Sequence, residues 1–486
     1  MMRSLYSGVA GLKTHQTRMD VIGNNIANVN TTAYKYQSMT FADLMYQTTQ
    51  SASGANEYRG GINARQIGLG AKTSAIKTAI TQQGSAQTTN DPFDIMISGE
   101  AFFVVSDGNQ NLFTRDGSFY VDGVGNLCMT STGYTVMGWQ PDPENPALIR
   151  RETVSALRIM SAANMTYPPE ATTQATISGI VDSFDHQVNS IDGRIMNLEF
   201  YDNRGYKYTA QFSLHAIGDD ADKTGSFYIK LDKVLDSDGK NVMEGNEDAF
   251  QFGSGTGAIL DADGNPITTL TGDPDPSDPN AQPTPEEVTN ATVIQFDPGT
   301  GKFQYVGNQA GQTGSATTQI LTLTDVNFSN ITIDFSDTSN YNKNGTSTMG
   351  ALAGNERQAG LGAGRKVGEM IGVSVDQSGM IYASYDNGQT KLLGQIAVAT
   401  FANASGLEKH GDNLYSASMN SGSFDGIGVD ISTTGGRMDS GVLEMSNVDL
   451  SSEFTEMITT QRGFQANSRI ITVSDTLLEE LTNLKR

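Results

Sequence analysis

The sequence predicts a mainly β fold with α-helical ends. Three observations predict it: a seven-residue apolar repeat confined to the two ends of the chain, a two-residue alternation through the middle, and a composition rich in glycine and uncharged polar residues. Of 486 residues, 53 are glycine, 37% are hydrophobic and only 17% are charged, a balance suited to turn-rich β structure facing water. Single cores stop growing at roughly 250 to 300 residues, so a chain of this length is expected to form two or three domains.

In chain order, the first element is a helix. Leu5, Leu12, Met19 and Ile26 stand seven residues apart with Val9 beside them, an apolar stripe of the kind that pairs helices. Residues 31–75 show neither period clearly and read as an extended or looped linker. Residues 76–158 and 351–445 each contain strand–turn–strand patterns, FTRDGSFYVDGVGNLCMTSTGYTVMGW and GVSVDQSGMIYASYDNGQTKLLGQIAVATF, and are expected to be two halves of one inner β domain. Between them, 159–350 is expected to be an inserted outer β domain with antiparallel strands. In YKYTAQFSLHAI one face carries Tyr206, Tyr208, Ala210, Phe212, Leu214 and Ala216, and the other carries His215 and polar residues, which reads as a half-buried strand with His215 in water. The five-proline stretch TGDPDPSDPNAQPTPEE at 271–287 is a loop or a split between two subdomains.

The last element mirrors the first. Leu450, Met457, Phe464, Ile471 and Leu478 are again seven apart, widened by Phe454, and Asp449, Ser451 and Ser452 supply oxygens for a helix start. The termini, 1–30 and 446–486, are therefore expected to pair as a coiled coil, with nested β domains beyond them.

The formal charge of −23 repels phosphate backbones and anionic lipid, which argues against nucleic-acid binding. No stretch has the 18 or more apolar residues of a membrane span, and the N-terminus lacks the apolar core of a secretory signal. Cys128 is the sole cysteine, so no intrachain disulfide forms, and a buried structural thiol with no catalytic role is expected.

Catalytic, cofactor and metal patterns fail on inspection. No Gly-x-Ser-x-Gly occurs, the four histidines are scattered, and Gly360 to Lys366 lacks the ending of a phosphate loop. Asp261-Ala-Asp263-Gly264-Asn265 opens like a calcium loop but lacks the later ligands. No catalytic, cofactor-binding or metal residue is assigned. An alternative of another class, a secreted glycan-binding module or enzyme, would use Tyr201, Tyr206, Tyr208 and Phe227 as a platform, although strand alternation already accounts for most of them.

The stretch VIGNNIANVNT, with Asn24, Asn25, Ile26, Asn28, Asn30 and Thr31, closely resembles the N-terminal signature of the flagellar axial proteins, the family of rod, hook and hook-associated subunits. SNVDLSSEFTEMITTQRGFQANSR, with Asn447, Gln461, Arg462, Phe464, Gln465, Ala466 and Asn467, resembles its C-terminal signature. The opening MMRSLYSGVAGLKTHQ is similar to the hook branch in particular, with a distal rod or hook-associated subunit as the alternative. Ala33-Tyr34-Lys35 departs from the commoner Gly-Phe-Lys but keeps an aromatic and a base. The resemblance implies a non-enzymatic, cofactor-free subunit that polymerises with itself into a flexible tube, outside the cell. It also implies type III export without a cleaved signal, and contacts with the rod, the hook–filament junction proteins and the hook cap.

Overall fold

A computed structural model describes residues 2–218, 224–270, 285–312, 314–324 and 327–484. The fold is mostly β, with a long helix at each end, and the two helices pack together. Two compact units are present: Met1–Met165 with Ile371–Ser384 and Thr390–Arg486, and Thr166–Met370 with Tyr385–Gln389. Residues 271–284, where a subdomain split was expected, lie outside the described residues; the adjoining strands Thr268–Leu270 and Pro285–Glu287 pair antiparallel.

In the first unit the N-terminal helix spans Met2–Ala27 and the C-terminal helix Leu450–Asn483. The C-terminal helix starts at Asp449, whose carboxylate accepts from the Ser451 and Ser452 N–H groups. Asp449, with its extended backbone, is therefore the cap, and the two serines belong to the first turn. The stretch expected to be a linker contains paired strands: Gln37–Asp43 runs antiparallel to Ala71–Thr78, and Tyr46–Gln50 to Arg65–Gly68. Further along, the strand Thr135–Trp139 meets Thr390–Ile396 through Gly138 and Ile396, so one sheet draws on two distant stretches of sequence. Its core gathers Phe102, Phe113, Trp139 and Tyr415. The Trp139 indole donates to the carbonyls of Glu152 and Ile427 at 2.9 and 3.0 Å, which satisfies its polar edge inside an apolar cluster. Cys128 is buried in the strand Leu127–Met129, and burial followed by Asp122 raises its thiol pKa.

The second unit contains two five-stranded sheets. One runs in the order Phe250–Phe252, Thr318–Leu323, Ile331–Asn340, Gln174–Val181, Gly350–Ala353; the other is Arg194–Tyr201, Lys207–Ala216, Ser226–Leu235, Ala291–Phe296, Phe303–Gly307. Their facing sides bury one continuous core that includes Ile177, Phe200, Phe212, Phe227, Phe252, Phe296 and Phe335. Not every pair is antiparallel: Gln174–Val181 runs parallel to Ile331–Asn340. Alternation reveals which face of a strand is buried but not its direction, so the pattern could not register this pair.

His215 also departs from expectation. A second cluster of Tyr228, Ile259, Val288, Ala291 and Val293 lies on the other face of the second sheet, and Ala291–Phe296 is buried at every position. His215 stacks on Tyr228, with ring centroids 4.8 Å apart and planes 9° from parallel. Burial, with Lys230 next in effect, lowers its pKa to about 4.

Five hairpins share one turn chemistry. In each of Asp122, Asp202, Asp236, Asp261 and Asp376, the same carboxylate oxygen accepts from the N–H groups two and four residues on. Glycine follows three residues after each Asp, with φ from 77° at Gly379 to 92° at Gly125, a conformation that penalises any Cβ. The loop at Asp261 is one of this set: its second oxygen is taken by the Asn265 side chain, which accounts for its calcium-like spelling by turn formation.

Candidate assembly interface

The two terminal helices run antiparallel: Gly8 faces Asn467 and Ile471, Gly463 faces His15, and Asn25 bonds Glu453. A Cβ on Gly11 would stand 2.7 Å from the Asn467 amide, and one on Gly463 would stand 2.6 Å from the His15 ring. Missing side chains therefore let these backbones approach. The N-terminal helix meets its partner with Gly8, Gly11, His15, Arg18 and Asn25. The buried positions Glu453, Thr460 and Ser474 lie on the C-terminal helix, at heptad spacing with the half-buried Met457, Phe464, Ile471 and Leu478. The seam is seven-residue in period but largely small and polar.

The apolar stripes fall around this seam rather than filling it. Leu5, Leu12, Met19 and Ile26 are half-buried, while Val9, Leu450 and Phe454 are exposed. Other apolar side chains on the C-terminal helix also remain open: Ile458, Ile470, Val473, Leu477 and Leu481. Ile470, Val473, Leu477 and Leu481 follow one another at spacings of three and four residues, Ile458 stands twelve residues earlier, and Ile470 Cγ2 would lie 3.7 Å from a Cβ on Gly8.

At the root of the pair the asparagines of the N-terminal signature have specific tasks. The buried Asn25 amide donates to the Gln37 carbonyl at 2.8 Å and to Glu453 Oε2 at 3.0 Å, and its oxygen accepts from the Gln37 N–H at 3.1 Å. One side chain thus pairs with both polar groups of a strand residue as a neighbouring strand would, and holds the strand Gln37–Asp43 to the helix. Asn24 donates to the Tyr34 hydroxyl, and Asn28 donates back to Asn24 and accepts from Thr31, closing the helix end. Asn30 is exposed. In the C-terminal signature, Asn447 accepts from the Tyr36 N–H at 2.7 Å and donates to the carbonyls of Ala79 and Gln82. Gln461, Arg462, Gln465 and Ala466 are exposed, whereas Phe464 and Asn467 turn toward the seam.

Charge is concentrated at the same root. Arg18 bridges to Glu456 at 3.0 Å and lies over the Phe41 ring. Burial, ahead of the other influences, raises the pKa of Glu453 and, together with Arg18, lowers that of His15.

One feature here was signalled in the sequence only by Lys35. Lys35, Arg115 and Glu444 form an ion triad at most 1% exposed: Lys35 Nζ is 2.7 Å from Glu444 Oε1, and Arg115 Nε is 3.4 Å from Oε2. Lys35 also donates to the Gln82 carbonyl, Arg115 to those of Gly99 and Ala101, and Glu444 accepts from the Gly84 N–H. Desolvation lowers the pKa of both cations despite their shared carboxylate. The triad ties the chain leaving the first helix and the chain entering the second to the β body.

Comparison with known proteins matches both ends and the stretch between. Residues 5–35 match the family model described as flagella basal body rod protein, 96–180 that of the flagellar hook protein FlgE/F/G D1 domain, and 439–484 that of the flagellar basal body rod FlgEFG protein C-terminal region. The chain is 35% identical over 505 residues to the flagellar hook protein FlgE of Treponema pallidum and 34% identical over 499 residues to that of Borreliella burgdorferi, with 100% of each chain covered. The flagellar basal-body rod protein FlgG of Bacillus subtilis is 27% identical over 486 residues, again with 100% of each covered.

Proposed function

This chain belongs to the flagellar hook protein FlgE family, and from that premise we propose that it is the structural subunit of a flagellar hook, polymerising into a flexible tube that joins rod to filament. The observation that carries this reading is the C-terminal helix, paired along one side yet left with exposed apolar side chains along its length, among them Leu450, Phe454, Ile458, Val473, Leu477 and Leu481. A long helix that leaves apolar side chains open beside its paired side is suited to packing among several helices, so copies of the chain would complete a coiled-coil layer. The paired ends, 1–30 and 446–486, are the assembly domain in this reading, and the insertion at 159–350 forms the outer surface.

The subunit acts mechanically, without catalysis or cofactor. Export through the flagellar type III machinery, a hook cap during growth, and rod and hook–filament junction proteins at its two ends complete its partners. Imaging of polymer grown from purified protein tests the reading. Short curved tubes are expected. A straight assembly would favour a distal rod subunit, the second reading, which has in its favour the full-length similarity to a rod protein.

A further inference from the structure

The C-terminal helix opens with three carboxylates, Asp449, Glu453 and Glu456, and each meets a different environment. Asp449 caps the helix through the N–H groups of Ser451 and Ser452, so the positive end of the helix dipole already serves an anion. Glu456 is paired with Arg18 at 3.0 Å and is partly exposed. Glu453 is 2% exposed and faces the N-terminal helix, where the Asn25 amide donates to its Oε2 at 3.0 Å.

That single neutral donor is little compensation for a charge so deeply buried. Asp182, Asp202 and Glu444 are buried to the same degree and are far better served. Asp182 accepts from the N–H groups of Phe184, Lys343 and Gly345, Asp202 from those of Arg204 and Tyr206, and Glu444 pairs with Lys35 and Arg115. Among the described residues no cation comes within 4.0 Å of the Glu453 carboxylate. The charged and titratable groups around it are Arg18 from the N-terminal helix, Tyr34 and Tyr36 from the chain that follows, and Asp449 and Glu456 from its own helix. Arg18, the one cation of these, is engaged by Glu456. A buried carboxyl group with one amide donor, two anionic neighbours and no cation of its own is less costly as the neutral acid.

We propose that Glu453 is the neutral acid whenever the helix pair is closed, so that the root of the pair takes up a proton on closing and loosens as that proton leaves. This concerns the closed pair itself and holds whatever the polymer is. The link to the β body is direct: the Asn25 side chain that donates to Glu453 also holds both polar backbone groups of Gln37, so a charged Glu453 disturbs the anchor of the first strand as well. Burial, ahead of the other causes, raises the Glu453 pKa above its ordinary 4.5. The open helices therefore lose the proton first as pH rises, and closure is firmest in acid below 4.5 and weakens as pH climbs through the raised value. His15, farther along the seam, acts in the opposite direction below its ordinary 6.5.

Full-length chain carrying carboxyl-13C glutamate tests the proposal, with the Glu453 signal identified by its loss in Glu453→Gln or Glu453→Asp. That signal is expected to titrate at a higher pH than the bulk of the glutamates, in the monomer or, where the ends order only on assembly, in the polymer under magic-angle spinning. Exchange of the Gln37 N–H reads the root itself. Glu453→Gln keeps a neutral side chain of the same shape at every pH and retains His15, so the wild-type exchange rate divided by that of the variant isolates Glu453. The ratio should stay flat below the Glu453 titration and rise several-fold across it. An ordinary midpoint in both monomer and polymer overturns the proposal, and so does a ratio that is independent of pH. If Glu453→Gln fails to fold, the wild-type titration decides alone.

Discussion

The sandwich of the second unit and the terminal helix pair solve the problem of burial in opposite ways. The sandwich closes Phe200, Phe212, Phe227, Phe252, Phe296 and Phe335 between two sheets at essentially zero exposure. Each such side chain removes about 150 to 250 Å² from water, so this region is stable on its own terms. The helix pair buries two apolar residues, Val21 and Ile22, beside the polar Thr14, Asn25, Glu453, Thr460 and Ser474, and leaves Phe454, Ile458, Val473 and Leu477 in water. Ordering some sixty helical residues costs roughly 1 to 2 kcal/mol each, and a seam of glycines and polar groups offsets little of that. One region is finished within the chain, whereas the other leaves much of its apolar surface open.

Deleting residues 1–30 and 446–486 should give the largest effect and separate the two regions outright. A soluble, β-rich monomer that never polymerises is expected, measured by sedimentation and circular dichroism. A deletion chain that still forms tubes would break the comparison, because assembly would then reside in the β units.

The next largest effect concerns the root that joins helices to β body. Glu444→Gln leaves Lys35 and Arg115 buried without their anion, and losing one partner of a buried pair costs about 3 to 5 kcal/mol. Urea unfolding followed in the first unit should show that loss. Lys35→Met should cost less, because the remaining Arg115–Glu444 pair is charge-balanced. Equal costs for both would mean that packing, not charge, holds the root.

Acid should separate the regions by sign. His215 has a folded pKa of about 4 against an ordinary 6.5, so the unfolded chain takes up its proton first. Stability from this group is full above pH 6.5 and falls as pH drops toward 4, by up to about 3 kcal/mol. Glu453 has the opposite sign: its raised pKa means that folding is favoured as pH falls through it, although His15 in the same seam opposes this. Unfolding at pH 7 and pH 4.5, reported by Tyr228 fluorescence and by the His215 proton resonance, checks the first claim. A His215 resonance that titrates near 6.5 would refute it.

How much of this was readable in the sequence depended on whether the signal was local. The terminal heptads and the alternating strands are encoded within a few residues, and each led to the right kind of element. The seam was harder, because a repeat seeded by glycine, histidine and asparagine at Gly8, Gly11, His15 and Asn25 carries no hydrophobic contrast. His215 was misread since burial of a strand's second face depends on residues such as Ile259 and Val288, far along the chain. Of the triad only Lys35 stood out, as the retained base of Ala33-Tyr34-Lys35; its partners Arg115 and Glu444 come from two other segments, and only the fold makes the three one site.

The smallest expected effect is also the most discriminating. Phe454→Ala and Leu477→Ala remove exposed side chains that touch no buried cluster of their own chain, and surface changes of this kind stay within about 0.5 kcal/mol. Monomer stability in urea should therefore be unchanged within that margin. The same substitutions delete apolar area exposed on the helix, where burial by a neighbour would contribute about 25 cal/mol per Å², so the critical concentration for polymerisation should rise by an order of magnitude or more. The measurement is a pair: midpoint of unfolding for the monomer and residual soluble protein above the polymer. Loss of monomer stability with normal assembly would show the stripe to be part of a self-sufficient helix pair, and the division between a finished and an unfinished region would no longer hold.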